Sequence, residues 1–399
     1  MASPVDTSVK HFYSAMSGAP VLNGAAGSLI AVLDMCLING YDVKAVTSLV
    51  VAAGVATLTF TGTHSAQVDM VVNVAGVTGG LVALNGDQKV TVIAANQVKF
   101  ATAAADGVAA GTISFKIASA GWAKPFNGTN LAVYRSLDAQ GTGMYLRVDD
   151  TGTTLARVVG YEVMTDVNTG TGAFPTSAQI AGGGYWSKSN SATATANAWY
   201  VFADTRRFFI SLSPFLNTTS GATGVVTRGF GDDITAKPGS DPYACSLSYS
   251  AGTGPNDSSG SYDLNADQLT HAMPRAYTGL GSCVLHASRA FVGAQANVSG
   301  VTDPTFGAFP SPVDGALRLS KKYFSEALVN APVRSLLPGF LYVPQTQVFA
   351  SFKNLDKVIG TGEVLGRKLM CVNSTNSLSA AASAGSTGAA FVDITGPWR

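Results

Sequence analysis

The chain has 399 residues, of which 46% are apolar and only 12% charged, with 44 glycines and a formal net charge of +1. That length holds one large or two modest domains with real cores. A charge content about half that of an ordinary soluble domain implies a surface of Ser, Thr, Asn, Gly and Ala, better suited to burial against neighbouring subunits than to a free monomer. No basic run is present, so the electrostatic footprint of a nucleic-acid binder is missing.

The first residues, MASPVDTSVKHFYS, carry Asp6 and no apolar core segment, so no secretory signal is expected. Residues 17–41 read SGAPVLNGAAGSLIAVLDMCLINGY. The apolar run from Leu29 to Ile38 is broken by Asp34 and is about half the length that a bilayer requires, so it predicts no membrane span. It predicts a helix over 28–39, with Ser28 as its cap and Gly40 past its end. The run is apolar around most of its circumference, which predicts burial on more than one side. The glycines of 18–27 lack the Lys-Ser/Thr ending of a phosphate loop and serve a turn.

From residue 46 the pattern changes to short alternating runs. VATLTFTGT, QVDMVVNVAG, KVTVIAANQVKFAT (a hairpin about Ala95-Asn96) and GTISFKIAS predict a compact β module over 46–118. Residues 119–399 continue as a larger β-rich unit, with MYLRVDDTG, TLARVVGYEVM, WYVFADTRRFFISLSP and residues 367–373 as strands. Long Gly/Ser/Asn loops separate them and read as interaction surfaces. Ser320 to Asn330 gives the second helical signal. The low-complexity stretch 378–390 predicts a flexible loop before a last strand, FVDITG. No repeat period of 20–50 residues is present.

Candidate chemistry is sparse. Asp150-Thr151-Gly152 follows an apolar strand, as an aspartic-protease carboxylate does, but the other copy would have to be Asp393-Ile394-Thr395-Gly396, and Asp149 breaks the apolar approach. A hairpin turn is the better reading. Asp263, Asn265 and Asp267 match the start of a calcium loop, yet Gln268 and Pro274 stand where glycine and glutamate are needed. His11, His64, His271 and His286 include no pair at metal spacing. Arg206-Arg207 reads as a strand with one charge-paired exposed face. Cys36, Cys245, Cys283 and Cys371 read as buried free thiols. Trp122, Trp186, Trp199 and Trp398 read as rigid packing anchors and candidate interface anchors, with carbohydrate stacking as the alternative.

The ordered segments VKHFYSAMSGAPVLNGAAGSLIAVLDMCLINGY, SAGWAKPFNGTNLAVYRS, MYLRVDDTGTTLARVVGYEVMTDVNTGTGAFPT, WYVFADTRRFFISLSP, GFGDDITAKPGSDPYAC, SPVDGALRLSKKYF, VRSLLPGFLYVPQ and FVDITGPW resemble a group of tailed-bacteriophage virion structural proteins. The pattern GVATLTFTGTHSAQVDMVVNVAGVTGGLVALNGDQKVTVIAANQVKFAT resembles small Ig-like β domains inserted into many phage tail and head-surface proteins, with Ser65 departing from the usual glycine. Its flanks, INGYDVKAV and KIASAGWAKPF, fit an insertion.

The resulting expectation is a mainly β chain: a large β-sandwich-like domain (119–399), a small Ig-like β module (46–118) and an N-terminal segment (1–45) whose one buried helix packs on the main domain. The resemblance implies a virion component made in the host cytoplasm. It would be a homo-oligomer of the tail apparatus (nozzle, tail tip or baseplate) that contacts other virion proteins and supports host-attachment fibres. The alternatives are a capsid decoration or head-fibre protein, and a glycan-binding or glycan-cleaving tail protein. No catalytic residue, metal, cofactor or nucleic-acid partner is expected.

Overall fold

The computed structural model describes residues 5–214, 225–255, 257, 259–263, 269–291, 306–327, 331–375 and 387–399. The chain is mainly β, as its alternating runs predict, and its strands fall into three principal bodies: a barrel, a five-stranded sheet and a large curled sheet.

The barrel corresponds to the small module, but its first strand, Tyr41–Ala52, begins before residue 46. Around the ring the strands run Val55–Phe60, Gln97–Ala101, Gly86–Ala94, Val71–Ala75, Ser114–Ile117 and Tyr41–Ala52, which pairs back onto Val55–Phe60. Pairing therefore closes a six-stranded ring, which does not by itself establish an Ig-like sandwich. Bulges at Val46/Ser48 and Val90/Val92 let two strands bend enough to turn its corners. Alternation places Leu49, Val51, Leu58, Phe60, Val98 and Phe100 inside. The predicted hairpin at Ala95-Asn96 joins Gly86–Ala94 to Gln97–Ala101.

The main unit stacks two sheets. The smaller orders its strands Gly184–Ser187, Leu155–Tyr161, Tyr145–Asp149, Leu131–Ser136 and Trp122–Gly128, all antiparallel. Its inner face meets the large sheet through Trp122 and Trp186 against Phe208, at ring-centroid distances of 5.4 and 6.0 Å, and Phe174 against Phe230 at 6.2 Å. The large sheet begins with Lys10–Tyr13 at its edge, so the N-terminal segment is a strand of the main unit as well as a packing element. Ile234–Thr235 follows directly on Val226–Asp232 and bonds to Ser335–Tyr342, which curls the sheet. The curl encloses a second core around Phe209, Tyr262, Phe324, Phe340 and Trp398. Strand Arg207–Leu212, covered on both faces, is buried at every position.

The helix over 28–39 is present, in two parts: an ordinary turn at Ser28–Leu33 and a wider one at Asp34–Asn39, where the Gly40 amide reaches back to the Met35 carbonyl at 2.9 Å. Gly40 ends it with φ of 64°. The predicted cap is corrected: the Ser28 hydroxyl donates to the Asn23 carbonyl, and Gly27 occupies the cap position. The second helical signal is also corrected. Ser320–Ser325 is a strand inside the large sheet, since Ser320, Lys322 and Phe324 alternate inward there; residues 328–330 lie outside the described residues. So do residues 378–386 of the expected C-terminal loop, while residues 387–390 already belong to the last strand, Thr387–Asp393.

Candidate functional site

The D-T-G aspartate has a defined and different role. Strand Tyr145–Asp149 delivers the Asp150 carboxylate to the start of the buried helix, where one oxygen accepts the Leu29 and Ile30 amides at 2.8 and 3.2 Å. Its other oxygen pairs with Lys188, whose ammonium also donates to the Ala25 carbonyl at 2.7 Å. Both side chains are fully buried. Burial pushes the Asp150 carboxyl upward and Lys188 pulls it back. The cap therefore comes from 121 residues away in sequence and satisfies free helix amides with a negative charge, as the helix dipole favours. Asp393 is held separately by Arg367 and the Thr395 amide.

A second ionic group lies inside the curled sheet. The Arg207 guanidinium meets Asp233 at 2.8 Å, Ser246 at 2.6 Å and the Tyr262 hydroxyl at 2.8 Å. Burial raises the Asp233 carboxyl to about 7, and Arg207 opposes that rise. Arg334 bonds Asp241 at 3.0 Å, Glu326 at 3.2 Å and His286 at 3.0 Å. Lys322 donates to the Tyr262 carbonyl at 2.8 Å, and burial drives its ammonium down to about 7. Arg206-Arg207 thus splits: Arg206 faces Asp138 at the surface, at 3.3 Å, and Arg207 is interior. Sequence patterning did not signal these interior charges: Arg207 stands in a strand covered on both faces, and Lys322 follows an exposed lysine from which its sequence does not distinguish it.

The remaining candidates resolve as follows. All four tryptophans are buried, and their indole N–H groups donate to the carbonyls of Asp204, Ser248, Pro20 and Asp393 at 2.6–3.1 Å. They are packing anchors within the chain. Neither the expected subunit contact nor a sugar has an exposed ring to rest on. The four cysteines are free and buried, as expected. His11, His271 and His286 are buried, and His64 is half-buried with Nε2 at 2.9 Å from the Ala94 carbonyl. Asn265 and Asp267 of the calcium-loop reading fall outside the described residues, while Asp263 is buried beside Ser261.

Two surface features remain. A hollow of about 520 Å³ opens between the barrel and the N-terminal segment, lined by Tyr13, Met16, Ser17, His64, Gln67 and Ile93. The surface itself is depleted of charge. Of the 25 basic side chains, Lys10, Lys89, Lys188, Arg207, Arg228, Lys322 and Arg334 are buried. Of the 24 acidic ones, Asp69, Asp150, Asp204, Asp232, Asp233, Asp241, Asp263 and Asp393 are buried. Charged groups are rarely buried unless paired, so the fold withdraws charge from an already neutral exterior. The barrel meanwhile exposes Val43, Val50, Val92 and Val108.

No family model matches the chain, and no curated protein matches it. Among solved structures, the phage phi92 endosialidase is similar over 89% of this chain and 52% of its own, at 10% identity and a TM-score of 0.16. The chain spans about half the length of that protein, and a likeness this slight assigns neither fold nor activity. Among the described residues, no helix is long and apolar enough to cross a membrane.

Proposed function

We propose that the chain is a structural subunit of a tailed-phage particle, a homo-oligomer of the tail apparatus in the nozzle, tail-tip or baseplate region, supporting host-attachment fibres. The observation that carries this reading is the withdrawal of charge. A chain with 12% charged residues that buries fifteen of them presents an exterior poor in charge, which favours contact with other subunits over free solution. The ordered segments resembling phage virion proteins give the setting.

In this reading the ionic groups are structural: they cap the helix and knit the curled sheet, and no reaction is assigned to them. The tail position and a capsid-decoration role share the same subunit and differ in neighbours. Light scattering on the purified full chain tests the assembly step. A mass at a multiple of 40.8 kDa is expected, held in about 1 M salt because a neutral interface is not screened. A single-subunit mass at every concentration sinks the self-assembly reading.

A further inference from the structure

The seam between the barrel and the large sheet holds a group of three side chains that the assembly reading does not use. Asn73 and Asp87 stand directly opposite each other on the neighbouring barrel strands Val71–Ala75 and Gly86–Ala94. The Asn73 side-chain amide donates to one Asp87 oxygen at 2.8 Å. The other Asp87 oxygen takes the Lys10 ammonium at 2.9 Å, which reaches across the seam from the edge strand Lys10–Tyr13. One carboxylate therefore touches both an amine and a carboxamide from distant parts of the chain.

Each member of the group is held in place. The Lys10 side chain is only 7% exposed, so packing of its stem fixes where the ammonium lies. Strand register fixes Asn73 against Asp87. Asp87 is the side open to solvent, with 30% of its side chain exposed.

Other lysines nearby are engaged differently. Lys116, across from Asn73 on its other flank, donates to the Asn39 carbonyl at 2.6 Å. Lys89 donates to the Ile394 and Thr395 carbonyls at 2.7 and 3.0 Å, and Lys357 and Lys368 meet Asp69. The buried carboxylate beside Lys188 faces backbone amides instead.

A nucleophilic amine, a carboxamide and an acid–base group in contact with both are the parts that an amide exchange requires. We propose that Lys10 and Asn73 become joined by an isopeptide bond, with Asp87 relaying the protons. Asp87 takes a proton from the Lys10 ammonium and, as a neutral acid, donates it towards the Asn73 amide, polarising its carbonyl. The freed amine attacks Asn73 Cγ. The Nζ–Cγ bond forms and the Cγ–Nδ2 bond breaks. Two protons shed by the Lys10 nitrogen pass through Asp87 to the departing nitrogen, which leaves as ammonium on the solvent side. Asp87 ends as the carboxylate it began as, and no other reactant is consumed. Folding itself brings the amine and the amide together, which replaces a bimolecular encounter. The bond pins the barrel to the first strand of the large sheet.

Tryptic peptide mapping of the purified full chain by mass spectrometry tests this. Trypsin is expected to pass over Lys10 and to yield a branched peptide containing Lys10 and Asn73, lighter than its two parts by one ammonia. K10R keeps the charge on Asp87 but offers no nucleophilic amine, and is expected to give unjoined peptides only. D87N, checked for an unchanged hydrogen-exchange pattern, keeps the shape without the relay. It is expected to cut the joined fraction at least about tenfold at equal time after synthesis. K116R is expected to join as the unaltered chain does. Unjoined Lys10 in the unaltered chain, a branch at Lys116, or undiminished joining in D87N would each overturn the proposal.

Discussion

The barrel and the curled sheet solve the same problem in opposite ways. The barrel encloses a largely apolar interior, with Leu58, Val98, Phe100 and Phe115 among its side chains and the Gln88 amide as a buried polar group bonded to the Leu84 carbonyl. The curled sheet encloses Arg207, Asp233, Lys322, Arg334 and His286 beside its aromatic core. An apolar interior is non-directional and is specified well by pattern alone. An ionic interior must satisfy each desolvated group through a partner, and it is worth little more than an apolar one unless every partner is present. The barrel should therefore lose stability gradually with lost volume, and the main unit abruptly with a lost partner.

The largest effect expected is on the helix cap. Asp150→Ala leaves Lys188 buried without its carboxylate, which costs about 3–5 kcal/mol, read as a shift in denaturant midpoint. A loss under about 1 kcal/mol would show that the interior pairs do not carry the main unit. In the barrel, Leu58→Ala should cost about 2–5 kcal/mol by cavity formation. Its loss of hydrogen-exchange protection should stay within 41–118, and equal loss in the large sheet would erase the contrast between the two bodies.

Titration of Lys322 should have a smaller effect. Burial lowers its ammonium in the folded chain to about 7, against an ordinary 10.5. Between those values the unfolded chain binds the extra proton, so stability rises as pH climbs from about 7 towards 10. Thermal melts should show that rise, and Lys322→Met should flatten it. An unaltered slope in the variant would place the titration elsewhere.

The smallest effect concerns the seam between the bodies. Asp69 joins the barrel to Lys357 at 3.0 Å and Lys368 at 2.5 Å, two lysines of the last strands of the large sheet. Burial pushes its carboxyl up, but the hydrogen bonds from Lys368 and Lys357 outweigh that and hold it below its ordinary value. Its contribution is complete above the ordinary carboxylate range and fades as pH falls through the lowered value. Asp69→Asn should lower amide protection factors at residues 68–71 near neutral pH and abolish their further fall in acid. Identical exchange in both proteins would show that the seam is held by apolar contact alone.

The same contrast explains what was legible in the amino-acid order. Barrel strands such as VATLTF declare themselves because one face is wet, so alternation survives. RFFISL shows no alternation because both its faces are covered, and its arginine reads as a surface charge until Asp233 and Tyr262 are seen around it. SKKYFS imitates a helix because neither lysine shows which way it points. The helix at 28–39 was legible from its apolar run, but its cap was not, since Asp150 arrives through tertiary contact.

The assembly reading is tested most directly by a reconstruction of the particles whose genome encodes this chain, with its density traced. The expected result is several symmetry-related copies in a ring coaxial with the tail, touching through low-charge surface that includes the barrel. Particles that lack the chain, or that carry it as isolated copies making no contact with one another, would contradict it.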